Sequence, residues 1–213
     1  MDAATFIANF RLEVNDTEEP HLWPTKLVLH YLDEAQQQFC DKTVGIADSL
    51  SPLCTVSAST ELVVLSPLIK TIRRATLRQL QRELQLVSVE DARDDGMRLN
   101  GPTGVPQYLI TGVGRNRAQL WPVPSLSYTL HLDVYRRPLS HIEDVGDELE
   151  VDDTFVPTLM HYVLYRAYQR PDVDTVDLRR SGEALALFNA GCKEAQALQS
   201  RARTKAGVTQ FSW

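Results

Sequence analysis

The chain has 213 residues and a mass of 24.0 kDa, the length of one domain or two small ones with a buried core, which excludes a peptide hormone or a disulfide knot. With 43% hydrophobic and 23% charged residues and a mean hydropathy of -0.23, it is too apolar for a disordered chain and folds in water. A net charge of -6 and a pI near 5.4 give no overall basic field for phosphate, so nucleic acid is not the expected main partner.

Three cysteines, Cys40, Cys54 and Cys192, are widely spaced and odd in number, which suits small core residues in a reduced compartment better than a disulfide framework. The start, Met1 to Thr5, lacks the basic and apolar regions of a signal peptide, and no run of eighteen uncharged apolar residues occurs. The expectation is a protein made and used in the cytoplasm unless an assembly carries it out.

Phe6, Ile7, Phe10 and Val14 recur at helical spacing, so Thr5 to Val14 reads as a short amphipathic helix broken by Asp16 to Pro20. Pro24 can open the next helix, where its missing N–H costs little; Val28, Leu32, Ala35 and Phe39 form its buried stripe, widened by Leu27 and Tyr31. Asp33, Glu34, Gln36 and Gln37 form the polar side, and Gly45 is a stop.

From Thr55 the texture changes. Thr55 to Ala58 and Glu61 to Leu65 read as short strands. The stretch from Leu68 to Val87 fits a loose helical stripe or two strands, Ile69 to Leu77 and Glu83 to Val87; the density of β-branched residues favours strands. Ser88 with Asp91 makes a capping pair for a short helix through Asp94, followed by a Gly- and Pro-rich loop from Asp95 to Pro106. Tyr108 to Val113, Ala118 to Val123 and Tyr128 to Tyr135 are the clearest strands; in the last, Tyr128, Leu130, Leu132 and Val134 share one face. Pro122 and Pro124 remove ladder donors, so Gln119 to Val123 should be an edge or end there.

His141 to Asp153 holds seven carboxylates and no Lys or Arg, a composition usual for a solvated linker. Val156, Leu159, Met160, Val163, Leu164 and Ala167 then give a strong helical stripe ended by Pro171. A final helix should run from near Asp174 to about Arg203 with Leu178, Leu185, Phe188, Cys192 and Ala195 on one side. The expected architecture is α+β: a helical bundle from residues 1–54 and 139–205, a β-rich insertion over 55–138 and an extended C-terminal tail over 206–213.

Chemistry is sparse. The five histidines never fall at the i, i+4 spacing of a helical zinc site and no Cys-x-x-Cys exists, so no metal is expected. Gly112-Val113-Gly114 lacks the third glycine of a dinucleotide loop and reads as a hairpin turn; there is no Gly-x-Ser-x-Gly elbow and no activated cysteine. No catalytic residue and no cofactor are assigned. Basic residues cluster at Lys70, Arg73, Arg74, Arg78 and Arg82 and again at Lys193, Arg201, Arg203 and Lys205. Solvated surface explains such clusters most simply, yet acidic and basic blocks in one chain also permit head-to-tail self-association, with Glu143, Asp144, Asp147 and Glu148 facing Arg73, Arg74 and Arg78 of a neighbour. Val208, Phe211 and Trp213 on the terminal segment are residue types that dominate binding hot spots; folding back onto the chain's own helices is the equal alternative.

Three stretches together resemble the head–tail adaptor (connector or head-completion) proteins of tailed bacteriophages. The first is Trp23 with Leu29-His30-Tyr31-Leu32-Asp33-Glu34-Ala35-Gln36-Gln37-Gln38-Phe39-Cys40. The second joins Pro106-Gln107-Tyr108, Leu120-Trp121-Pro122-Val123-Pro124 and Val134-Tyr135-Arg136-Arg137-Pro138-Leu139. The third is His161-Tyr162-Val163-Leu164-Tyr165-Arg166-Ala167-Tyr168, leading through Asp172 to Asp177 into the long helix. The resemblance covers Trp23 to Phe188. It implies a structural, non-enzymatic virion protein at the head–tail junction, present in the host cytoplasm during assembly. Its copies would form a ring, usually dodecameric, under the portal protein. Such a ring continues the channel, through which genomic DNA passes without sequence-specific binding, and offers a platform to a downstream tail or nozzle protein; no membrane is involved. Similar proteins dock their C-terminal helix and tail on the portal, which implies that role for Val208, Phe211 and Trp213 with Arg201, Arg203 and Lys205.

Two other classes compete. A tail accessory protein with cell-wall hydrolase activity would use carboxylates such as Glu143, Glu148, Asp152 and Asp153, and would need a held pair with one raised pKa. A cytoplasmic DNA-binding module using Arg73, Arg74 and Arg78 would bind duplex DNA in a salt-sensitive manner.

Overall fold

The computed structural model describes residues 1–97, 101–171 and 176–205, with side chains to 201, and it is α+β. In chain order the elements are α1 (Ala3–Glu13), α2 (Thr25–Lys42), β1 (Ile46–Asp48), β2 (Thr55–Ala58), β3 (Leu62–Val64), β4 (Ile69–Leu77), β5 (Arg82–Ser88) and α3 (Val89–Asp94). There follow β6 (Thr103–Gly104), β7 (Tyr108–Gly114), β8 (Arg117–Trp121), β9 (Val123–Pro124), β10 (Tyr128–Arg136), α4 (Val156–Tyr168) and α5 (Leu178–Lys205). The chain divides into two units, one made of residues 1–46 and 138 onward, the other of residues 47–137.

In the first unit, α1, α2, α4 and α5 share one core. Asp2 caps α1 through the N–H of Thr5 at 2.9 Å, and the helix buries Phe6, Ile7 and Phe10. The expected stripe of α2 is buried, with Phe39 and Leu32 at its centre. Phe6, Phe10, Phe39 and Phe188 are each sealed from water, and each contributes roughly 1.5–3 kcal/mol relative to exposure. The α1–α2 connection is held by a buried pair: Arg11 Nη1 lies 2.9 Å from Asp16 Oδ2, whose carboxylate also accepts from the N–H groups of Leu22 and Trp23. Trp23 then donates from Nε1 to the carbonyl of Ala167 at 3.1 Å, fastening this connection to α4. The α4–α5 crossing is close at Gly191, where an added Cβ would stand 2.5 Å from Thr158 Oγ1.

Two expectations need correction here, and a third lies beyond what is described. The polar side of α2 is not all solvent-facing: Asp33 and Gln36 are buried, because the acidic segment after Pro138 covers them. Leu178 is 72% exposed, because it opens α5 ahead of the buried stripe Ser181, Ala184, Phe188, Cys192 and Ala195. The expected start of α5 near Asp174 falls outside the described residues, and the helix is described from Leu178.

The second unit is a curled, mixed sheet of eight strands in the order β1–β10–β4–β5–β7–β8–β3, with β2 also pairing β10. The stretch from Ile69 to Ser88 forms strands β4 and β5, as β-branching favours, joined by a turn in which Gln81 takes a left-handed φ of 49°. The β5–β7 pair is parallel and is bridged by α3, whose N-cap Ser88 accepts from the N–H of Asp91. Tyr128, Leu130, Leu132 and Val134 of β10 face inward onto Ala75, Leu77, Leu84, Leu109 and Leu120. The strand β8 does end before Pro122, but it is no edge: β3 lies outside it, with Val63 opposite Ala118. The loop after α3 also carries the two-residue β6, paired in parallel with β9. Cys54 lies in this core, Cys40 and Cys192 in the other, all three as free thiols.

The curl has a local cause. Along the β4–β10 ladder Asp133 pairs Arg74 while Val134 pairs Ile72, and Tyr135 pairs Thr71 while Arg136 pairs Ile69. Arg73 and Lys70 are thus each inserted as an extra residue, and such bulges bend a strand and sharpen its twist.

Candidate functional site

Two oppositely charged surfaces carry the residues that the sequence singles out. The acidic one, on the first unit, is a strap without helix or strand over residues 138–151, and it is fastened along its length. Buried Asp33 accepts from the N–H of Ile142 at 3.2 Å, and His141 Nδ1 lies 2.9 Å from its other oxygen. Gln36 Oε1 accepts from the N–H groups of Glu150 and Val151 at 2.9 and 3.2 Å. The first N–H groups of α1, which have no partner inside the helix, donate to the strap: Ala3 to the carbonyl of Asp147, Ala4 to that of Val145. Ile142, Leu149 and Val151 are buried beneath it. A linker composition therefore belongs to a structural cover, and the apolar spacing Ile142, Leu149, Val151 is the sequence signal that marks it.

Within the strap, Asp147 Oδ2 accepts from the N–H groups of Glu143 and Asp144 at 2.9 Å each, and the N–H of Asp147 donates to the carbonyl of Asp144. This closes a turn with Glu143, Asp144, Val145 and Gly146 exposed at its tip. The backbone donors from Asp144 and Glu143 hold the Asp147 carboxyl below the usual carboxylate range. Asp152, fed by the hydroxyl and N–H of Thr154, is likewise held low, and Asp153 pairs with the terminal ammonium of Met1 at 2.9 Å. A hydrolytic general acid needs a raised pKa; these two carboxyls are held in the opposite direction and serve the fold. Glu148 is exposed and bridges Asp2 through the backbone.

The basic surface lies on the second unit, on β4 and the turn after it. Its cations are used unequally. Arg73, the bulged residue, lies over the Tyr135 ring with its guanidinium 5.0 Å from the centroid. Arg74 sits between Glu83 at 3.4 Å and Asp133 at 4.0 Å. Arg78 is exposed and, among the described residues, has no ion-pair partner. It lines a cleft of about 490 Å³ with Ser49, Leu50, Thr55, Thr76, Gln81 and His131, and among the described residues no carboxylate lines it.

On α5, Lys193 and Arg201 are exposed; the side chains of Arg203 and Lys205 and all of Val208, Phe211 and Trp213 lie outside the described residues. Among the described residues no group of three His, Cys, Asp or Glu side chains stands ready to hold a metal ion, and no helix is long and apolar enough to cross a membrane.

A search of curated proteins finds no match to the chain. The family model described as SU10 adaptor protein does match, over residues 1–210, so the chain belongs to this family of phage head–tail adaptors and is a structural bacteriophage protein.

Proposed function

We propose that copies of this chain assemble into a ring, dodecameric as the sequence resemblance implies, beneath the portal at the head–tail junction of the virion. The ring continues the DNA channel without sequence-specific contact and gives the downstream tail or nozzle protein its platform. In this reading the four helices of the first unit are the bundle that anchors each subunit. The terminal segment, with Val208, Phe211 and Trp213 and the cations Arg201, Arg203 and Lys205, docks on the portal. Neighbouring copies meet through Glu143, Asp144, Asp147 and Glu148 on one side and Arg73, Arg74 and Arg78 on the other. Assembly starts from subunits in the host cytoplasm.

The observation that carries the reading is the family match over residues 1–210. The strap adds physical support: its charged tip is held in place rather than left mobile, so it reaches an encounter with its ordering entropy already spent. A hydrolase is less well supported, because Asp152, one of its candidate carboxyls, is held low by donors of its own fold. Native mass spectrometry in low salt, on the protein alone and mixed with portal rings, tests the reading. A stoichiometric ring forming on the portal is the expected result, and a monomer that ignores portals would return hydrolysis and DNA binding to the front.

A further inference from the structure

Of the three β4-region arginines offered to a neighbour, two are already engaged within their own sheet. Arg74 is flanked by Glu83 and Asp133, and Arg73 is spread over Tyr135. Arg78 differs in three ways. It has no ion-pair partner among the described residues, it opens onto a cleft of about 490 Å³, and the polar groups around it there are the hydroxyls of Ser49, Thr55 and Thr76, the Gln81 amide and the His131 ring. Leu50, 94% exposed, stands at the same cleft. A guanidinium beside neutral donors is an oxyanion receptor, and the exposed leucine adds an apolar contact next to it.

The occupant must match one cation and no more. A DNA backbone presents a phosphate at every step and is held by several cations in series. Here the neighbouring positions on the same sheet face carry Glu83 and Asp133, which neutralise Arg74 and would repel a polyanion. A short protein turn, which can seat one carboxylate on Arg78 without laying a continuous row of charges along the sheet, fits where a nucleic acid does not.

The same chain displays such a loop. The turn closed by Asp147 presents Asp144 beside Val145, which is 46% exposed, and Gly146, around which nothing lies within 4 Å of an added Cβ. The Asp144 carboxylate accepts no hydrogen bond and forms no ion pair among the described residues, whereas the adjacent Glu143 lies near the His141 ring and shares its field. An acid followed at once by an apolar residue complements an arginine beside an exposed leucine.

We propose that the Arg78 cleft of one copy receives the Asp144–Val145 turn of a second copy, with Asp144 on Arg78 and Val145 against Leu50. This rests on the ring reading above and narrows it to one cation, one carboxylate and one apolar pair. The contact is heterologous, since cleft and turn are different surfaces, and repetition of a heterologous contact closes a ring or runs on as a filament.

The test uses two charge reversals in the full chain, Arg78→Glu and Asp144→Arg, both at exposed positions. Circular dichroism first establishes that each is folded. Self-association is then followed by sedimentation velocity over a wide concentration range, with and without portal rings. Each variant alone should associate roughly tenfold or more weakly than wild type, as reversal of a close interfacial charge pair does. An equimolar mixture should recover association, because the reversed cleft of one variant accepts the reversed turn of the other, while the wild-type cleft and turn they retain pair normally. Native mass spectrometry of that mixture should show equal numbers of the two variants. Single variants that assemble like wild type, or a mixture that fails to recover, would overturn the proposal; the second result is also what a contact confined within one chain would give. A wild-type chain that stays monomeric alone and on portals would sink the ring reading itself, and this contact with it.

Discussion

Gln36, near the middle of α2, holds the backbone of Val151, 115 positions later, through a side-chain oxygen that accepts from its N–H at 3.2 Å and from that of Glu150 at 2.9 Å. Both Gln36 and Val151 are buried, so water cannot replace this bond. Gln36→Ala should therefore cost about 1–3 kcal/mol, the penalty for orphaned buried donors. Urea unfolding measures it; a loss below about 0.5 kcal/mol, the range of ordinary surface changes, would show that the strap is held by other means.

The neighbouring contact is sensitive to pH. The hydrogen bond that the His141 ring donates to the Asp33 carboxylate, and then the charge of that carboxylate, raise the His141 pKa above its ordinary 6.5, with burial opposing and Glu143 adding a little. A raised folded value means that the contact stabilises in full below about pH 6.5 and is lost as pH rises through the raised value. His161 works the other way: burial lowers its pKa against an opposing Glu13, so its contribution is lost as pH falls below 6.5. Ring-proton NMR should find His141 titrating above and His161 below 6.5. Asp33→Asn should return His141 toward 6.5 and leave His161 unmoved; a His141 value that ignores the substitution would refute the assignment.

In the second unit, Arg136 forms an ion pair with Asp48 in which both side chains are nearly sealed from water. Burial alone would raise the Asp48 carboxyl. The Ser51 hydroxyl, the N–H of Leu50, Arg136 and the N–H of Ser51 together outweigh burial and hold it far below the usual range. Arg136→Met strands that charge and should destabilise the unit by about 3–5 kcal/mol. With the folded pKa depressed, the wild-type contribution is present above about pH 4 and is lost only as pH falls into strong acid. Thermal unfolding at neutral pH checks the first point, and an acid titration of wild type the second. A variant as stable as wild type would show that the pair contributes nothing net.

Removal of residues 206–213 separates docking from folding. If that segment serves docking alone, the truncated chain should unfold within about 0.5 kcal/mol of the full chain. It should also fail to bind portal rings in a pull-down. Unchanged portal binding would remove Val208, Phe211 and Trp213 from the proposed contact.

Much of this molecule is legible from local pattern. Stripes such as Val28, Leu32, Ala35 and Phe39, and the alternation of Tyr128, Leu130, Leu132 and Val134, predict their elements because burial of one face is a period-level property that neighbours in sequence already express. The capping pair Ser88 and Asp91, and the stop of β8 before Pro122, are legible for the same reason, since each depends on backbone groups within a few residues. The α+β class and the charged blocks on both surfaces follow from that reading.

Only the tertiary structure decided what those blocks touch. Asp33 and Gln36 fall on the hydrophilic side of an amphipathic helix, and no local rule says that a strap more than a hundred positions away will bury them. The bulges at Arg73 and Lys70 arise from register against β10, and the difference between engaged Arg74 and Arg78, which has no ion-pair partner among the described residues, depends on which carboxylates the sheet brings across from β5 and β10. Sequence determines which residues want burial or a counter-charge, because that is a property of the side chain and its spacing. Which partner meets the need is a property of distant chain segments brought to within 4 Å, and it exists only after the fold has formed.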